Sequence, residues 1–199
     1  MNSAVNTVKQ RVGDERELTP GEWCVLALLA IEPAHGWTLA TEFGSDRDVG
    51  AIWPLSRPLV YRALEILEQR GLIEPARIEA GARGPHRTVF RATPLGQGEF
   101  KRWLSEPVEQ TRDMQPLFLL KLVFAERAGI LPAPIVEKQR AAFSTTIESL
   151  EAQLAESTGT EWGMVWFRLE SANSVLRLID TMGTSSRRSA SLVALSSAA

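Results

Sequence analysis

Arg83, His86, Arg87 and Arg91 crowd into the stretch GARGPHRTVFRAT, residues 81–93, punctuated by Gly81, Gly84 and Pro85. Guanidinium groups on a glycine-rich loop can approach phosphates closely or reach into a minor groove. An ordinary exposed hairpin could have the same composition, so the loop acquires meaning only beside a second element. That element is SRPLVYRALEILEQRG, residues 56–71. Arg57 and Arg62 can each pair with a phosphate or with guanine O6 and N7. Tyr61 can hydrogen-bond a phosphate or pack on a sugar or thymine methyl. Ser56 and the helix N-terminus offer donors to a phosphate, with Pro58 in the first turn.

The charge distribution points to the same region. The chain of 199 residues has a net charge of −2, but residues 1–55 carry −4, residues 56–103 carry +4, and residues 104–199 carry −2. A basic middle between acidic flanks suits a local anionic partner, with nucleic acid foremost. The length and the 44% hydrophobic content suffice for one or two compact domains with their own cores.

The elements that would position these side chains can be read in order. Residues 1–17 are polar and aperiodic and read as a flexible arm. In LTPGEWCVLALLAIE, Thr19 is an N-cap, Pro20 fits the first helical position and Glu22 completes a capping box, with Leu18 and Trp23 as a hydrophobic staple. A second helix is expected from about Gly36 to Phe43, then a loop from Gly44 to Pro54 anchored by Ile52 and Trp53. The third helix starts at its cap Ser56 and ends at Gly71. At 100° per residue, Leu59, Val60, Ala63, Leu64, Ile66 and Leu67 share one arc, and Arg57, Pro58, Tyr61, Arg62, Glu65, Glu68 and Gln69 the other. LIEPARIEAG and HRTVFRAT then read as the two strands of a hairpin, and a helix capped by Thr93 follows.

Beyond Pro107 the sequence becomes helical throughout. PLFLLKLVFAERAG, with Leu119 and Leu122, is strongly apolar. Val136, Phe143, Ile147, Leu150 and Leu154 recur at heptad-like spacing, as do Val165, Leu169, Ala172, Leu176 and Ile179, so these helices should present seams to other helices. From Gly183 the Ser/Ala-rich tail reads as disordered.

Three helices followed by a hairpin is the order of a winged helix-turn-helix, whose third helix enters the major groove while the hairpin forms the wing. The motifs LTPGEWCVLALLAIEPAHGWTLATEF, PLVYRALEILEQRGLIEP and RTVFRATPLGQGEFKRWL resemble the PadR family of bacterial transcriptional regulators, over about residues 18–104. The resemblance extends more loosely over 117–181 to the helical dimerisation domain of longer members. It implies a mostly α fold with a small β-hairpin wing, and a C-terminal antiparallel helical dimerisation domain. The expected division is 18–106 for DNA binding, 107–182 for dimerisation through Leu119, Leu122, Phe143, Ile147, Leu150, Leu154, Leu169, Leu176 and Ile179, and 183–199 as tail. It further implies a homodimer that represses transcription from a pseudo-palindromic operator in double-stranded DNA and is released by a small-molecule effector. The DNA-contacting set is Ser56, Arg57, Pro58, Tyr61, Arg62, Arg83, His86 and Arg87.

Other chemistry finds little support. His35 and His86 lie on separate loops, and no Gly-x-Ser-x-Gly elbow, HExxH or P-loop is present, so no enzymatic activity is expected. No His/Cys cluster has metal-ligand spacing, and no cofactor is expected. Trp162 and Trp166, one helical turn apart, are effector-binding candidates, although packing, one in the core or interface and the other over its edge, accounts for them more simply. Cys24, the only cysteine, sits in an apolar run and reads as a small buried hydrophobe. No apolar run approaches the ~20 residues of a membrane span, and the N-terminus has no signal-peptide core, so the reading is a soluble cytoplasmic protein. The competing functional reading is a winged-helix module for protein–protein contact. The charge of the exposed third-helix face discriminates between them: Arg57, Tyr61 and Arg62 favour DNA.

Overall fold

The computed structural model describes residues 16–81, 84–109 and 111–196. Helix α1 (Pro20–Ile31) begins as its sequence dictates: the Thr19 side chain accepts from the Glu22 N–H, and Glu22 Oε2 accepts from the Thr19 N–H at 2.8 Å. Leu18 and Trp23 are both buried beside this cap. Burial alone would raise the Glu22 carboxyl. Arg16, bonded to it at 2.6 Å, and the Thr19 N–H outweigh that and hold it below the usual carboxylate range. Nearly all of α1 is buried, so it serves as the central post of the fold.

Strand β1 (Ala34–His35) and helix α2 (Gly36–Glu42) follow. The stretch expected as a loop from Gly44 to Pro54 contains a short helix, α3 (Asp48–Ile52). Its Gly50 packs so tightly on the end of α2 that a Cβ would stand 2.1 Å from the Gly44 carbonyl oxygen. Helix α4 (Arg57–Gln69) is the third helix of the sequence reading. It ends at Gly71, whose φ of 68° lies in the left-handed region that favours glycine.

Strands β2 (Ile73–Gly81) and β3 (Gly84–Ala92) pair antiparallel, from Ile73 opposite Ala92 to Gly81 opposite Gly84. The sheet has a third member. Strand β1 pairs with β3, His35 opposite Val89, giving the order β1-β3-β2. Two residues are too few to show alternation in a sequence, so this strand was invisible there.

Helix α5 (Pro94–Ser105) is capped by Thr93, whose hydroxyl oxygen accepts from the Gly96 N–H at 3.1 Å. Then come α6 (Thr111–Arg127), α7 (Ala133–Glu156) and α8 (Gly159–Ser196). Helix α8 therefore runs on past Gly183, where a disordered tail was expected. Its Ala-, Leu- and Arg-containing extension lacks proline, and adding residues to an existing helix costs far less than nucleating one. The architecture is thus mostly α with a small three-stranded antiparallel sheet.

Helices α7 and α8 form an antiparallel pair, turned at Gly159 (φ 59°). Arg140, early in α7, reaches Asp180 far along α8 at 2.6 Å. Their shared seam lies within one chain. Phe143, Ile147, Leu150, Leu169 and Ile179 are buried within a single chain. Leu122, Leu154 and Leu176 are half-buried against the same core, and Leu119 is half-buried. A stripe at helical spacing announces a neighbouring helix without saying whose it is, and here most of that stripe is satisfied internally.

Two buried polar groups fasten the helical part to the winged part. The Gln139 amide of α7 donates to the Val108 carbonyl at 2.8 Å and accepts from the Val108 N–H at 2.7 Å. Lys121 of α6, only 2% exposed, donates to the Glu106 carbonyl and lies 5.2 Å from the Trp103 ring centroid. Trp103 in turn stacks on Trp23 of α1, centroids 5.5 Å apart. On the opposite flank Arg127, at the end of α6, bonds Glu42 at 2.8 Å and also Asp48. No helix among the described residues is long and apolar enough to cross a membrane.

Candidate nucleic-acid interface

Helix α4 has one face in the core and one in solvent. Val60, Ala63, Leu64 and Leu67 are buried, and the helix packs on α1, α2 and β2. Ser56, Arg57, Pro58, Tyr61, Arg62, Glu65, Glu68 and Gln69 are exposed. Two members of the expected buried arc depart from it: Leu59 is 49% exposed and Ile66 is half-buried. Leu59 lies in the first turn, where the helix overhangs the core, and it borders a groove with Trp53, Leu55 and Arg62.

Ser56 occupies the N-cap position, but its side chain makes no capping bond. Pro58, at the second helical position, has no N–H to offer, and the Leu59 N–H already donates to the Ser56 carbonyl at 3.0 Å. The hydroxyl is therefore left facing outward beside Arg57. Among the described residues, neither Arg57 nor Arg62 has an ion-pair partner, and the same is true of Arg87 on β3. The other arginines of the hairpin are engaged: Arg77 holds Glu79 at 2.8 Å and Arg91 holds Glu74 at 2.8 Å across the strand pair. Arg91 is thus a cross-strand brace. Arg83 lies outside the described residues, as does the side chain of His86.

Tyr61 is 45% exposed and joins Arg87 along one notch, which also includes Trp37 from α2. So α4, the start of α2 and strand β3 meet on one side of the molecule, bringing Tyr61 and Arg87 to one notch. Trp37 was missed as a member of this surface. Its sequence context, a glycine-flanked aromatic at a helix start, gives no hint of exposure; only the pairing of β1 with β3 places it there. His35 accepts from the Thr38 N–H at 3.1 Å through Nδ1, which makes it the N-cap of α2.

Trp162 and Trp166 stack along α8, with centroids 6.2 Å apart and planes inclined by 15°, each 46% exposed. Met164 and Phe167 on the same helix are also exposed, 65% and 69%. Trp23 and Trp103 are core residues, and Trp53 is half-buried against the same core. Cys24 is fully buried, and its burial pushes the thiol far above its ordinary range. Among the described residues, no three His, Cys, Asp or Glu side chains are grouped as a metal site.

Residues 25–102 match the family model described as "Transcriptional regulator PadR-like family". A curated relative from Mycobacterium tuberculosis (strain ATCC 25618 / H37Rv), "Probable transcriptional regulator Rv1176c", is 28% identical over 88 residues, covering 44% of this chain. The match spans 45%, less than half, of that relative's own length. Among solved structures, PadR of Bacillus subtilis in complex with operator DNA is 14% identical, with 84% of this chain and 99% of that chain covered and a TM-score of 0.44. The PadR-like regulator BC1756 of Bacillus cereus is 20% identical, with 87% and 99% covered and a TM-score of 0.37.

Proposed function

We propose that the protein, whose residues 25–102 match the PadR-like transcriptional regulator family model, is a sequence-specific DNA-binding transcription regulator that acts as a homodimeric repressor. The observation that carries this reading is the exposed N-terminal half of α4. It presents Arg57, Tyr61 and Arg62 without a neutralising carboxylate, while its other face is locked into the core. Buried Val60, Ala63, Leu64 and Leu67 fix the axis of the helix, so the exposed side chains are held in one register for base edges in a major groove. Arg87 on β3 lies to the same side and takes the flanking phosphates, the role also assigned from the sequence to Arg83 and His86.

In this reading residues 18–106 bind DNA and residues 107–182 dimerise. The stacked pair Trp162 and Trp166 is covered by a second copy of the chain, because the seam of α7 and α8 is already used internally. Release by a small-molecule effector completes the proposal, with Trp162 and Trp166 as the candidate contacts.

Selection of bound duplexes from a randomised library, repeated at two salt concentrations, tests it. The expected product is an inverted repeat whose half-sites lie about one helical turn, ~34–36 Å, apart. Recovery of only salt-sensitive, sequence-blind binding would overturn it in favour of a protein-contact module.

A further inference from the structure

Trp37 exposes half of its surface at the start of α2, beside Tyr61, which is 45% exposed. The two rings border a notch of about 490 Å³ that is closed on its third side by Arg87 and Thr88 of β3 and floored by Phe90. The arrangement is built from the sheet outward. Pairing of His35 with Val89 lays the start of α2 alongside β3, and His35 caps that helix. The His35 and Trp37 rings lie 6.3 Å apart.

Gly36 completes it. A Cβ on this residue would stand 2.7 Å from Cε1, 3.0 Å from Cζ and 3.2 Å from the hydroxyl oxygen of Tyr61. Gly36 is not among the glycines with positive φ, so what glycine supplies here is space. The phenol lies down against the backbone of α2 instead of projecting freely from α4.

The chemistry of the notch is one-sided. It holds a guanidinium with no ion-pair partner among the described residues, two hydroxyls and an indole face, and no carboxylate lines it. The neighbouring cavity of about 340 Å³ offers the contrast. There Arg77 and Arg127 are neutralised by Glu79 and Glu42 on its own walls, both at 2.8 Å. A cation left uncompensated beside aromatic surface suits an anion that carries an apolar collar.

We propose that this notch grips one deoxyribose-phosphate unit of duplex DNA. Arg87 and the Tyr61 hydroxyl bind phosphate oxygens, the Trp37 ring covers the sugar, and Gly36 is the positioning residue that lets Tyr61 lie within reach. The proposal rests on the DNA-binding reading above and adds to it a backbone clamp between the reading helix and the wing. Such a contact fixes register and carries affinity without carrying sequence.

The test uses the full-length protein and a duplex that the wild type enriches from the randomised library, titrated by fluorescence anisotropy, with thermal melting followed by circular dichroism. Trp37→Ala is expected to weaken binding roughly tenfold, equally on matched and mismatched duplexes, with the melting midpoint unchanged. Gly36→Ala should weaken binding as much as Tyr61→Ala, and the double variant should be no weaker than Tyr61→Ala alone, since both remove one contact. A single neutral methylphosphonate linkage at the gripped phosphate should abolish the difference between wild type and Arg87→Ala. Wild-type affinity in folded Trp37→Ala and Gly36→Ala would overturn the clamp while leaving the regulator reading intact. Should Gly36→Ala fail to fold, the half-exposed Trp37 decides the matter alone. A wild type that binds no duplex at any salt concentration would instead remove the DNA-binding reading, and the clamp with it.

Discussion

Arg87 and Arg91 stand four residues apart on β3, yet the sheet gives them different work. Arg91 is held by Glu74 on the partner strand at 2.8 Å. Arg87 faces Glu79 in register, but that carboxylate bonds Arg77 on its own strand. Only the uncommitted guanidinium is free to displace a DNA counterion. Arg87→Ala should therefore make the log–log salt dependence of DNA binding shallower by about 1, whereas Arg91→Ala should leave the slope unchanged; titrations at several salt concentrations measure both. The types of these residues were legible in the sequence, and their partners were not. Arg57, Tyr61 and Arg62 could be assigned to an exposed face because helical period alone sorts α4 into two arcs. Leu59 escaped that sorting because period ignores where the core ends. Trp37 escaped it because nothing local distinguishes a half-exposed indole from a core one.

At the scale of elements, the winged part is held by close backbone approaches that only glycine permits. A Cβ on Gly96 would stand 2.0 Å from the Leu72 carbonyl oxygen, which itself accepts from the Thr93 N–H at 2.9 Å. In the same turn region Gln97 donates to the Ala30 carbonyl at 2.7 Å, tying α5 to the end of α1. Gly96→Ala must push α5 away from the hairpin base and is expected to destabilise the fold by roughly 1–3 kcal/mol, the range for overpacking. Urea unfolding checks it, with Gly98→Ala as the clash-free control: there a Cβ meets nothing within 4 Å, and the gain in helix propensity should stabilise by roughly 0.5–1 kcal/mol. Elements with their own punctuation were readable: the Thr19 and Thr93 caps, the Gly71 stop, and the strands of the hairpin. Strand β1 and helix α3 were not, since elements of two and five residues owe their form to what they pack on.

For the whole molecule, the decisive region is the junction where Lys121, Trp103, Glu106, Val108 and Gln139 meet. Burial pushes the Lys121 ammonium down to about 8, against the opposing pull of Glu106 and Glu17. In the unfolded chain the same group titrates near ~10.4. Between those values the unfolded state binds more protons, so this group's contribution to stability rises with pH across roughly 8 to 10 and is flat below it. The measurement is differential: melting midpoints of wild type minus Lys121→Met should increase from pH 7.5 to pH 10, and a difference independent of pH would count against the buried charge. The sequence hid this junction as well. Lys121 stood inside the apolar run FLLKLVF without any sign that its cation would be enclosed.

The double clasp at Glu106 and Val108, with Arg127 on the far flank, also determines what kind of connector joins the two parts. A slack tether would let a second reading head sample many positions, and binding would fall only gradually as half-sites were moved apart. A pinned connector delivers the head of the proposed dimer to one place, where its local concentration is high, and to almost nowhere else. Inserting about five base pairs, half a helical turn, would carry the second half-site to the opposite side of the duplex and sacrifice nearly all of that gain.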